Sequence, residues 1–298
     1  MGGVIVYWGA ENGQDAANGY LNGGAVFHVA ERRWSTTPSS PIAGRFGAAA
    51  AGSDSLFFVW GGARTPDSTA LFDGATYDVT TGSWRRLPPA PYLTARPLGA
   101  AWTGTEFVVI TPGGCAAYNP TTNTWRSLPN LPGSPTAGTV VQVGDRTYVV
   151  GASSAYLARG ASAWTPIPSL QNAVVATLTA ATDGDTLFAA ALTEARSGPV
   201  SVPPIVDRFD PATATWIGLP TSPVQEASCA VPLAVTANKL FLACSNSAIF
   251  DRQTATWRDY GPAASWGGGP GSVGGSDPVT VGGEIVFAGA PTLIYTGP

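Results

Sequence analysis

The sequence predicts an all-β fold assembled from a repeated four-stranded antiparallel unit, and three observations predict it. A tryptophan phrase recurs along the whole chain, as "AVFHVAERRWSTTP", "ATYDVTTGSWRRLP", "AAYNPTTNTWRSLP", "AYLARGASAWTPIP", "DRFDPATATWIGLP" and "AIFDRQTATWRDYG". Its anchors Trp34, Trp84, Trp125, Trp164, Trp216 and Trp257 stand 50, 41, 39, 52 and 41 residues apart. That is the period of four-stranded propeller blades and too long for leucine-rich or helical repeats. The third observation is composition: 11% of residues are charged and 44% hydrophobic, and Gly and Pro together make about a fifth of the chain. Such a mix favours short strands joined by tight turns, and few ten-residue windows would sustain a helix.

Each unit predicts four strands in order. A small-residue strand comes first ("FGAAAAG", "LGAAWTG", "GTVVQVG"). Ala and Gly suit an innermost position beside a channel, where neighbouring strands crowd. A second strand closed by glycine follows, as in "VIVYWGA", "LFFVWGG", "EFVVITPGG", "TYVVGA", "TLFAAA", "KLFLACS" and "EIVFAGA". The third strand carries Tyr or Phe and the fourth carries Trp, because adjacent blades splay outward and large rings fill the wedge between sheets. Between third and fourth strands stand Asp78, Asn119, Asp210 and Asp251. Their shared turn position predicts side chains that bond backbone amides of a hairpin, not acid/base catalysis.

The stretch "LFFVWGG…ATYDVTTGSWRRLP" resembles a kelch motif, with its di-glycine, its Tyr and its Trp. The resemblance covers essentially the whole chain and implies a kelch-type β-propeller similar to the central domain of galactose oxidase. Two departures are visible: the di-glycine decays to Gly-Ala or Ala-Ala in several units, and the fourth phrase lacks its Asp. A copper centre of the galactose oxidase type needs two histidines, two tyrosines and a Cys linked to one of them, whereas this chain has one histidine, His28. That site cannot be assembled here, and neither a metal nor another cofactor is expected.

Counting parts gives seven glycine-ended strands and seven aromatic third strands but six tryptophan strands. The expectation is a single domain over 1–298 with seven blades at 1–36, 45–88, 96–129, 136–168, 172–220, 227–262 and 276–298. Blade 1 lacks its inner strand and blade 7 its outer strand, both of which one phrase upstream of Met1 would supply. The alternative is a six-bladed ring with surplus strands packed outside, which leaves an apolar edge exposed. A signal peptide would fall in the same upstream region.

The net charge is −4 and the only lysine is Lys239. Scattered arginines give no basic stripe, which argues against nucleic acid, and no apolar run reaches the length of a membrane span. Long insertions such as "ARTPDSTALFDG" follow second strands, and proline-rich segments such as "RRLPPAPYLTARP" follow tryptophan strands. Both kinds of loop leave the same face, where binding is normally built. Candidate ligand residues there are Arg45, Arg64, Tyr92, Arg96, Arg196, Glu226 and Trp266. The charges among them have an alternative use in solvating the rim or tying loops together. Arg85 and its neighbours in "WRR", like those in "RRW", fall on outer strands and are expected to pair or to stack on Trp.

Two functions follow. The first is a monomeric, non-catalytic binding scaffold for a protein, peptide or glycan. The second, implied by the kelch resemblance, is a metal-independent sugar enzyme similar to sialic acid mutarotase, using Arg45, Arg96 and Glu226 at the channel mouth. Cys115, Cys229 and Cys244 are too few for a disulfide framework or a zinc site. Cys229 and Cys244 lie on successive strands and make either one disulfide or two buried thiols. Few charges and Thr/Ser/Gly/Asn-rich turns lead us to expect an exported, extracytoplasmic bacterial protein.

Overall fold

A computed structural model describes residues 3–9, 20–133, 135, 137–151, 153–170, 175–193, 203–224, 232–243, 246–262, 279–281, 284–287 and 293–295. The fold is an all-β propeller of four-stranded antiparallel blades, without helices among these residues. The strands follow in chain order. The first sheet holds β1 (Val4–Trp8), β2 (Gly24–His28) and β3 (Arg33–Thr37). The second holds β4 (Ala49–Gly52), β5 (Leu56–Trp60), β6 (Gly74–Asp78) and β7 (Ser83–Arg86). The third holds β8 (Gly99–Trp102), β9 (Phe107–Thr111), β10 (Gly114–Asn119) and β11 (Thr124–Leu128). The fourth holds β12 (Gly138–Val143), β13 (Arg146–Gly151), β14 (Ala155–Ala158) and β15 (Thr165–Pro166). The fifth holds β16 (Val175–Thr182), β17 (Leu187–Thr193), β18 (Ile205–Asp210) and β19 (Thr215–Gly218). The sixth holds β20 (Leu233–Val235), β21 (Lys239–Ala243), β22 (Asn246–Asp251) and β23 (Thr256–Pro262), and the last β24 (Val279–Val281), β25 (Glu284–Phe287) and β26 (Leu293–Tyr295).

Within every sheet consecutive strands pair, the meander that the repeat predicts. The five middle sheets have four strands, and the first and last have three among the described residues. A six-bladed count takes the five complete sheets and one further blade from the terminal strands; a seven-bladed count gives each terminal sheet its own blade. The strand orders are common to both. The chain divides into two compact units, Met1–Tyr148 with Ala155–Thr165, and Val149–Ser154 with Pro166–Pro298.

The core lies between successive sheets, not in one central mass. In the first unit Phe58, Trp60, Leu87, Leu93, Phe107, Val109, Ala116 and Tyr118 form one such layer, and in the second Phe188, Leu192, Val206, Leu240, Leu242 and Phe250 belong to another. Burial of this apolar area is the main stabilising term. The innermost strands approach so closely that a Cβ on Gly99 would lie 3.1 Å from Cβ of Val140, which is the physical reason for small residues there.

At the periphery the repeat makes one joint five times. The indole N–H of Trp84 donates to Pro38 O (3.0 Å), Trp125 to Pro88 O (2.9 Å), Trp164 to Pro129 O (2.8 Å), Trp216 to Pro168 O (2.8 Å) and Trp257 to Pro220 O (2.7 Å). Each acceptor stands four residues after the preceding tryptophan in sequence. The final proline of each of these five phrases therefore offers its carbonyl to the next sheet, while the rings of Trp84, Trp125, Trp216 and Trp257 pack on the Tyr or Phe opposite, as in Tyr118–Trp125 at 5.2 Å.

Candidate functional site

Antiparallel blades send their second-to-third and inter-sheet connections from one end, here called the loop end, and their two internal hairpins from the other. In the first unit the connections at the loop end interlock. Ser40 N–H donates to Asn22 O (2.8 Å), and Phe46 and Ala63 exchange both backbone hydrogen bonds (2.7 and 2.9 Å). The loop from Gly61 to Asp73 is gripped from both sides.

On one side is Arg45, whose side chain is only 1% exposed. Its Nη1 donates to Asp73 Oδ1 (2.6 Å), Gly61 O (3.1 Å) and Asp73 O (3.2 Å), and its Nε to Ala43 O (2.9 Å). Arg86 completes the cluster, donating to Asp73 Oδ2 (3.2 Å) and to Pro41 O. Burial pushes the Asp73 carboxyl up, but the Arg45 hydrogen bond and the charges of Arg45 and Arg86 outweigh it and hold the group below its ordinary value of 3.8. On the other side Arg96 donates through Nη2 to Pro66 O and Ser68 O (both 2.5 Å) and reaches Thr65 O at 3.4 Å. Arg45 and Arg96 thus act as tethers, Arg45 through Nη1 and Nε and Arg96 through Nη2.

On the loop-end connections four large apolar side chains face solvent: Leu21, Phe46, Phe72 and Tyr92. Tyr92 is 84% exposed and sits at φ +51°, a left-handed conformation that bulky residues rarely adopt. Its carbonyl lies where a Cβ on Gly114 would come within 2.4 Å, so the glycine that opens β10 admits this approach. Arg64 is exposed on the tethered loop. Sequence reasoning selected Tyr92 but missed Leu21, Phe46 and Phe72. The available signal was an apolar residue inside a polar, glycine-rich connection, as in "GYLNGG", "GRFGAA" and "ALFDG". Arg196, Glu226 and Trp266 lie outside the described residues, as do Cys229 and Cys244.

The opposite end carries the repeated hairpin turns. Asp78 Oδ1 accepts from the amides of Thr80 (2.8 Å) and Thr81 (3.1 Å), Asn119 Oδ1 from Thr121 (2.9 Å) and Thr122 (3.2 Å), Asp210 Oδ1 from Ala212 (2.9 Å), and Asp251 Oδ1 from Gln253 (2.9 Å) and Thr254 (3.0 Å). Arg85 donates to Tyr118 Oη (2.8 Å) and Pro120 O (3.2 Å), joining the second sheet to the third. His28 meets Ser35 Oγ at 2.9 Å across the β2–β3 pair. Burial pushes the Cys115 thiol up to about 11, which leaves it protonated and unreactive at neutral pH. Among the described residues no three His, Cys, Asp or Glu stand together as a metal site, and no helix is long and apolar enough to cross a membrane. Compared with the models of known protein families and with the curated proteins, the chain matches none.

Proposed function

We propose that this protein is a kelch-type binding module whose loop end, in the first unit, holds a protein, peptide or glycan. The observation that carries the reading is Tyr92: a ring kept almost wholly in solvent on a backbone conformation that costs on the order of 1 kcal/mol or more. Leu21, Phe46 and Phe72 are likewise exposed on loop-end connections, and exposed aromatic anchors on a rigid frame are the usual material of recognition. The arginine tethers supply the rigidity, because a loop already ordered loses little entropy on binding. A sugar enzyme of the mutarotase type would draw on Arg45, whose side chain is buried and committed to Asp73 and to backbone carbonyls.

Glycan and peptide arrays probed with the wild type and with Tyr92→Gly test this. Tyr92→Gly removes the ring and relieves the left-handed strain, so binding should fall at least tenfold with thermal stability no lower than wild type. Binding that survives Tyr92→Gly combined with Phe46→Ser overturns the reading, as does the absence of any binding. An exported setting is part of the same proposal, supported by the low charge and the polar turns. Titration of all three cysteines as free thiols under denaturation removes the disulfide and counts against export.

A further inference from the structure

At the hairpin end of the first unit, a polar groove of about 390 Å³ opens between the second and third sheets. Leu56 contributes an apolar wall, and Thr76 and Arg85, directly opposed on β6 and β7, rise beside it. Thr76 is 2% exposed, and its hydroxyl has no hydrogen-bond partner among the described residues. Arg85 uses Nη2 for Tyr118 and Pro120 and pairs with no carboxylate there, so Nη1 and Nε remain as donors. Asp78 commits Oδ1 to its turn and keeps Oδ2. At the matching turn of the sixth sheet that second oxygen is taken by Lys239 at 2.6 Å.

The equivalent groove between the third and fourth sheets is closed. There Arg126, which occupies the place of Arg85, is paired through Nε and Nη2 to Glu106 (2.9 and 2.6 Å), Ala117 and Asn119 stand where the first groove has Thr76 and Asp78, and only about 40 Å³ remains. The first groove therefore presents what the second does not: a guanidinium without a carboxylate partner, an unpartnered hydroxyl and, across from them, a carboxylate oxygen.

We propose that the groove between the second and third sheets binds a small hydroxycarboxylate of sugar-acid size. Its carboxylate is taken by Arg85 and Thr76, and a hydroxyl donates to Asp78. A hydroxyl at the groove wall without a protein partner gains a hydrogen bond when the groove is filled, and a guanidinium–carboxylate contact is among the stronger polar contacts. The volume lies within the range of small-ligand sites.

Titration calorimetry with D-glucuronate, with D-glucose and acetate as controls, tests the proposal on the whole chain. We expect saturable one-to-one binding of glucuronate, weaker binding of acetate and none of glucose. Arg85→Ala should weaken glucuronate at least tenfold and Thr76→Val several-fold, while Thr76→Ser retains it, and Arg126→Ala and Tyr92→Gly leave it unchanged. Thr76→Val changes no volume and guards against a folding defect as the cause of lost binding. Equal binding of glucose, indifference to both Arg85→Ala and Thr76→Val, or no glucuronate binding at millimolar concentration overturns it.

Discussion

The two grooves at the hairpin end are built from the same strand positions, yet one is open and the other nearly filled. Arg85 and Arg126 each follow the tryptophan of an outer strand, and each faces the start of a second strand: Leu56 in one case, Glu106 in the other. A carboxylate at that place turns the arginine inward into an ion pair; a leucine leaves it for the neighbouring sheet and for solvent. The repeat thus determines where a guanidinium stands, and one residue two strands away decides whether it is structural or available. The loop end teaches the same rule at its buried extreme, for Arg45 has both an acid and three carbonyl contacts and is lost to view entirely.

The largest effect should come from breaking that extreme. Arg45→Ala leaves Oδ1 of Asp73 and the Gly61 and Ala43 carbonyls without the Arg45 donor, with Arg86 alone on the carboxylate, and should cost about 3 kcal/mol in denaturant unfolding. Arg45→Lys should recover only part, since an ammonium cannot reproduce the fork. Because the folded Asp73 carboxyl is held below 3.8, the tether contributes fully above that value and its contribution is lost as pH falls through the depressed one. The acid limb of the wild-type stability profile should therefore flatten in Arg45→Ala. An unchanged limb would assign acid sensitivity elsewhere, for example to Asp183, whose burial is outweighed by the Arg252 hydrogen bond.

Leu56→Glu converts the open groove into a copy of the closed one. The new carboxylate should capture Arg85, and glucuronate binding should fall at least tenfold, while stability changes by about 1 kcal/mol or less, as expected for a surface ion pair replacing a half-buried leucine. Retained binding would show that the guanidinium is not what the groove offers. A smaller effect is predicted at the outer joint. Trp125→Phe keeps the ring packing on Tyr118 but removes the donor to Pro88 O, costing about 1 kcal/mol measured by the unfolding midpoint.

What was legible in the sequence was whatever the chain encodes between near neighbours. The small-residue, glycine-ended, aromatic and tryptophan strands lie in the order read, because alternation and turn chemistry act within about ten residues. The hairpin side chains at Asp78, Asn119 and Asp251 likewise bond amides two and three residues on. Contacts between sheets were hidden. The proline after each tryptophan was visible as a letter in the phrase, but its acceptor role joins residues such as Pro38 and Trp84, 46 apart. Arg45 stood in the sequence as a loop charge, and nothing local distinguishes it from Arg64, since its burial depends on Gly61 and Asp73, 16 and 28 residues further along the chain. The difference between Arg85 and Arg126 was written at positions 56 and 106 but acquires meaning only once strands are paired.

The smallest predicted effect is also the most direct reading of how a groove is closed from its acidic side. Lys239 occupies in the sixth sheet the place of Leu56, directly across from Asp251 as Leu56 is from Asp78. Its hydrogen bond, then those of the Thr254 and Gln253 amides, bring the Asp251 carboxyl down to about 2. Lys239→Leu should let that carboxyl rise towards 3.8 without restoring it fully, since the turn amides remain. Carboxyl-detected NMR titration follows the group. If Asp251 does not move in Lys239→Leu, the amides alone hold it, and the second oxygen of Asp78 is then no more available than that of Asp251.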